Sequence, residues 1–165
     1  MYEHIDVQEA IKRSIQTEKK AMLFYRMAAR HMKKDEARRL FEVLANEELE
    51  HAHQFYRLYR RHDIPDFDAF MDTTSESEKD WLSSREKVLL SDLGVRKAME
   101  LAMHKELKLE KQLREIAVNI KNPEVRKVFE ENAKSTNHHY QLIESEYAHL
   151  MGMVHETDID TYVRE

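Results

Sequence analysis

The chain has 165 residues, 41% of them apolar and 36% charged, with a formal charge of −5. That is enough apolar material for one domain spanning residues 1–165, and both charge signs are mixed throughout, which argues against a basic nucleic-acid stripe and an acidic solvating arm. With no cysteine there is no disulfide and no thiolate-held metal, and with only two glycines and two prolines there are few places to turn, so an all-α fold of long helices is expected.

No apolar run reaches the ~18 to 20 residues of a membrane span, and the opening MYEHIDVQEA lacks the pattern of a secretory signal. A cytoplasmic location, with no membrane or nucleic-acid partner, is the expectation. The first helix is predicted over residues 7–32, opened by Asp6 and Glu9 in the spacing of a reciprocal capping box. Its inward stripe is Ile11, Ile15, Glu18, Met22, Tyr25 and Ala29, on which Glu18 is the one charge. Tyr25, two turns along the same face, is either a hydrogen-bond support for a metal-binding carboxylate or an ordinary core tyrosine.

The second helix is predicted over residues 35–62, ending before Asp63-Ile64-Pro65. Phe41, Leu44, Ala45, Glu48, His51, Ala52 and Phe55 fall on one stripe at a helical turn of 100° per residue, so Glu48 and His51 point into the core. A buried carboxylate and imidazole cost several kcal/mol in desolvation unless something pairs with them, and a divalent cation meets that need. Glu50 and His53 repeat the spacing but lie off the stripe, and His138 likewise falls on the outer surface.

Residues 63–94 mix polar positions with Phe67, Phe70, Met71, Trp81 and Leu82, too long a stretch for a simple turn. A crossover running the length of a bundle, burying Trp81 or Phe70 along it or against a second subunit, is predicted. Two more helices follow, over residues 95–121 and 123–150, the last opened by Asn122-Pro123 and closed by Gly152. Residues 153–165 form either a short docked turn or a disordered tail.

The second half repeats the first at a spacing of 88 residues. Ala98 falls on Ala10, Met99 on Ile11, Glu106 on Glu18, Phe129 on Phe41, Ala133 on Ala45 and His139 on His51. Two copies of a helical hairpin, joined by the crossover, then bring Glu18, Glu48, His51, Glu106 and His139 together as metal ligands. That is the plan of the ferritin-like two-metal bundles, which take a Glu from each of two helices and Glu-x-x-His from each of the other two.

Over residues 5–150 the chain resembles the rubrerythrin-like branch of those proteins, in AIKRSIQTEKKAMLFY, LANEELEHAHQF, KAMELAMHKEL and VFEENAKSTNHHYQLIESEY. The resemblance implies a di-iron domain that reduces hydrogen peroxide or dioxygen, with manganese or zinc fitting the same ligands. Rubrerythrins proper also carry a thiolate-held iron domain, so here the electrons would come from a separate donor protein. A homodimer or larger homo-oligomer is the expected assembly.

The pattern departs from the family at one position: Thr136 stands where the fourth Glu belongs. Two ferrous ions carry four positive charges, so the substitution leaves a deficit in a low-dielectric core. Glu110 lies about 40° from Glu106 around the helix. Rubrerythrins carry an extra carboxylate three residues after the corresponding Glu, whereas here the spacing is four. Glu110 either reaches solvent or turns inward as a sixth ligand, or onto Thr136 or Asn132; Asn132 itself is expected to be a core amide bonded to the site. Beside the redox reading stand two alternatives, oxidation of ferrous iron for storage and a single-metal or metal-free helical module that lost two-metal chemistry through Thr136.

Overall fold

A computed structural model describes residues 6–91 and 94–152. The described residues form six helices: α1 (Val7–His31), α2 (Asp35–Leu58), α3 (Phe67–Asp72), α4 (Glu76–Leu89), α5 (Gly94–Ala117) and α6 (Pro123–Leu150). The pairs α1/α2 and α5/α6 are the two hairpins, and the start of α6 lies 88 residues after that of α2, as the repeat requires. None of these helices is long and apolar enough to cross a membrane.

Two apolar clusters fill the bundle. One joins the amino end of α1, the carboxyl end of α2, the carboxyl end of α5 and the amino end of α6 through Ile11, Ile15, Phe55, Leu113 and Phe129. The other joins the opposite ends through Met22, Phe41, Leu44, Met99 and Ile143. So α2 runs parallel to α5, and a chain leaving α2 must travel the whole bundle before α5 can begin. The crossover does this, running from Ile64 in the first cluster to Leu89 in the second.

The crossover is more ordered than a loop. Ser75 and Glu78 form a complete capping box at the start of α4. The Glu78 carboxylate also takes the buried Lys19 ammonium at 3.0 Å, while Lys19 donates to the Thr73 carbonyl and lies over Phe70. Ile64, Met71 and Leu89 are buried apolar side chains of the segment; Trp81 and Phe70, one or other of which was expected to be buried, are only half covered. At α1 the expected box is half made, because Asp6 accepts from the Glu9 N–H while the Glu9 carboxylate turns to Arg13 and Arg61.

Two helices end sooner than their sequence pattern. The α2 helix stops at Leu58, where Gln8 donates to the Leu58 carbonyl and accepts from the Arg60 N–H, meeting backbone groups that further helical turns would have used. The α5 helix stops at Ala117, and Arg126 of α6 takes the Ile120 carbonyl at 2.7 Å. Elsewhere the local signals hold: the Asn122 side chain accepts from the Glu124 and Val125 N–H groups, and Gly152 closes α6 at φ 66°. Gly94 answers a tighter demand, because a Cβ there would lie 1.8 Å from the Leu89 carbonyl oxygen. Residues 153–165 lie outside the described residues.

Candidate metal centre

Between the two apolar clusters lies one polar layer. The α1 helix contributes Glu18, α2 contributes Glu48 and His51, α5 contributes Glu106, and α6 contributes His139; none is more than 6% exposed. Each stands on a buried helical stripe that is mostly apolar, with Asn132 and Thr136 beside His139 on α6, so packing that stripe leaves the polar side chain no route to solvent. Their ligand atoms fall into two groups, Glu18–Glu48–His51 and Glu48–Glu106–His139, with all atoms of a group within 4.8 Å of one another. Glu48 belongs to both.

The layer is starved of hydrogen bonds. Both oxygens of Glu18 and of Glu48, Nδ1 of His51, Oε2 of Glu106 and both ring nitrogens of His139 are buried without a hydrogen-bond partner among the described residues. His139 Nδ1 does lie 2.9 Å from Glu48 Oε1, at ion-pair distance but without hydrogen-bond direction. Leaving so many buried acceptors unmet costs kilocalories each, and cations held among them would meet the cost. The donor set, three carboxylates and two imidazoles without sulfur, fits iron, manganese or zinc.

Protons take part of that load when no cation is bound. Burial pushes the Glu18 carboxyl up to about 7, and burial with the neighbouring Glu18 charge pushes Glu48 up to about 8. Burial raises Glu106 and lowers His51. His139 goes the other way: burial opposes its charged form, but Glu106 and Glu48 outweigh that and hold it up at about 11.

The imidazoles are set from behind. The two rings stack with centroids 5.4 Å apart at 12°. His51 Nδ1 faces Glu18 and Glu48, while its Nε2 bonds Ser135 Oγ at 2.9 Å. His139 Nδ1 faces Glu48 and Glu106, while its Nε2 lies 3.4 Å from the Glu47 carboxylate. Glu47 and Ser135 occupy the same register position, 88 residues apart, and each serves the histidine of the other hairpin. The sequence reading did not single them out, although each precedes a histidine of the stripe by four residues, one helical turn.

Tyr25 donates its hydroxyl to Glu106 Oε1, the oxygen 3.8 Å from His139 Nδ1, while Glu106 Oε2 is buried without a hydrogen-bond partner among the described residues. Burial and the Glu106 charge raise the phenol well above its usual range. Glu110 corrects an expectation. Its carboxylate accepts from Asn137 Nδ2 at 2.9 Å and pairs with Arg114, and it joins neither group. One turn beyond Glu106 the side chain has already left the dry layer, and a cation from its own helix is within reach. Thr136 donates to the Asn132 carbonyl, and Asn132 bonds Gln54 and the Val128 carbonyl rather than the layer. His138 is exposed, as its helical angle predicts, but His53 is half-buried against Phe67.

Residues 9–147 match the family model described as Rubrerythrin, from the first turn of α1 to the last turn of α6. The chain belongs to the rubrerythrin family. Comparison with curated proteins and with solved structures gives no match.

Proposed function

We propose that this member of the rubrerythrin family is a non-haem di-iron carboxylate protein that reduces hydrogen peroxide or dioxygen with electrons from a separate donor protein. The observation that carries the reading is the sharing of Glu48 by two three-residue groups, which could offer two cations one common carboxylate at the centre of the bundle. Glu18 and His51 would complete one position, Glu106 and His139 the other. When bound, a pair of irons supplies one-electron steps at two adjacent centres, which suits the two-electron reduction of an O–O bond. Manganese would serve the same ligands.

The protein's own part is orientation. Tyr25 holds one Glu106 oxygen, Ser135 holds the outer nitrogen of His51, and Glu47 stands behind His139, so the ligating atoms keep their direction before a metal arrives. The test is metal content per chain after iron-replete expression, followed by the absorption change when peroxide meets the reduced protein. Two irons or manganeses per chain and a peroxide-dependent spectrum are expected; no bound metal overturns the reading. One metal per chain would favour the single-metal alternative, which has its own support in the Thr136 hydroxyl being turned to the Asn132 carbonyl, away from ligand duty.

A further inference from the structure

Trp81, the sole tryptophan, stands on α4 with its ring edge-on to Phe24 at 6.4 Å. Three cations from three helices gather on it: Lys105 Nζ at 4.3 Å from the ring centroid, Arg85 Cζ at 5.6 Å and Lys20 Nζ at 6.0 Å. The charges that act most on Lys105 are the like charges of Arg85 and Lys20, with Glu106 a weaker opposite one. Arg85 Nε is buried with no hydrogen-bond partner among the described residues. The contrast with Lys19 is direct, since that ammonium is buried and paired with the Glu78 carboxylate and the Thr73 carbonyl. Cation–π attraction offsets part of the cost of crowding the three charges, and the remaining repulsion favours an anion beside them.

A cavity of about 230 Å³ opens beside this cluster between α1 and α5. Lys20 and Lys108 are at its exposed rim, Phe24, Ala102 and Leu109 are in its wall, and buried Tyr25 and Glu106 mark its inner end. At roughly 30 Å³ per heavy atom, the share of a liquid water molecule, it has room for about six to eight such atoms. Peroxide and dioxygen fill a quarter of that and carry no charge for the cations to meet.

We propose that this cavity binds a small organic anion of about six carbons, its carboxylate on Lys20 and Lys105 and its apolar body directed along Phe24 and Leu109 towards Tyr25 and Glu106. The cations supply charge complementarity, the wall supplies apolar burial, and the inner end brings the bound molecule against a ligand of the metal centre. The proposal goes beyond the redox reading and does not rest on it, because binding of the anion needs no bound metal.

Trp81 emission reports occupancy directly in the full-length chain, with and without bound metal. Titration with hexanoate should give a saturable change, and 1-hexanol, acetate and inorganic phosphate should each bind at least tenfold more weakly. Lys20→Gln and Lys105→Gln should each weaken hexanoate at least tenfold, and Lys127→Gln on α6 should not. Ala21→Leu, which fills the cavity without touching a charge, should abolish the response and leave metal content unchanged. Absence of a saturable change, equal response to hexanol, or equal response to acetate and phosphate would overturn the proposal, as would hexanoate binding undisturbed by Ala21→Leu. Metal content measured on the same samples separates this outcome from the fate of the redox reading, because binding without metal sinks only the latter and metal without binding only the former.

Discussion

Stripping the metal and raising the pH should unfold this protein progressively. Folded values of about 7 for Glu18 and about 8 for Glu48 mean that the folded chain holds protons that the unfolded chain, near 4.5, gives up. The stability from a raised acid is complete below the unfolded value and is lost as pH climbs through the folded one. His139, held up at about 11, adds loss of the same sign above its unfolded value, and His51, lowered by burial, opposes it. Each pH unit over which the folded state holds one extra proton costs about 1.4 kcal/mol. Two neighbouring carboxyls over two to three units therefore cost roughly 7 kcal/mol between pH 5 and pH 8, a large share of a domain's usual stability. For a chain of this size that corresponds to a fall in Tm of roughly 15 to 30 °C. The assay is thermal unfolding followed by helical circular dichroism after chelation, repeated with saturating manganese, where carboxylates must shed protons to ligate and the slope should reverse. A metal-free protein as stable at pH 8 as at pH 5 would refute the reasoning.

Glu47→Gln should weaken metal binding on the His139 side by roughly tenfold or more, in the range for groups that support a ligand from behind, and Ser135→Ala should do less because a hydroxyl brings no charge; calorimetric titration with manganese compares them. Glu110→Gln should leave metal stoichiometry unchanged and cost about 1 kcal/mol or less, since its partners are Asn137 and half-exposed Arg114; a lost metal would show that the carboxylate moves inward on loading. Gly94→Ala should cost roughly 3 kcal/mol in chemical denaturation, because the new methyl meets the Leu89 backbone; an unchanged midpoint would show that α4 and α5 can slide apart freely.

Much of this centre was legible in one dimension. A repeat of 88 residues and a 3.6-residue period place Glu18, Glu48, His51, Glu106 and His139 on inward stripes, and the cost of burying them unpaired points to a metal. Local signals also bound the last helix from Pro123 to Leu150, where the cap and the first-turn proline are neighbours in sequence. Tertiary structure decided what depends on groups distant along the chain. Helix α2 ends early where Gln8 reaches in from α1 to take its last carbonyl, and the chain just beyond α5 is held by Arg126 of α6 at the Ile120 carbonyl. Glu110 faces Asn137 because a position 40° off the stripe is compatible with either the dry layer or the rim, and only the packing of α5 on α6 chooses. The pairing of each histidine with a partner from the opposite hairpin, and the gathering of Lys20, Arg85 and Lys105 around Trp81, are of the same kind. Helical periodicity fixes the direction in which a side chain leaves its own helix, but what waits there is set by where the other helices dock.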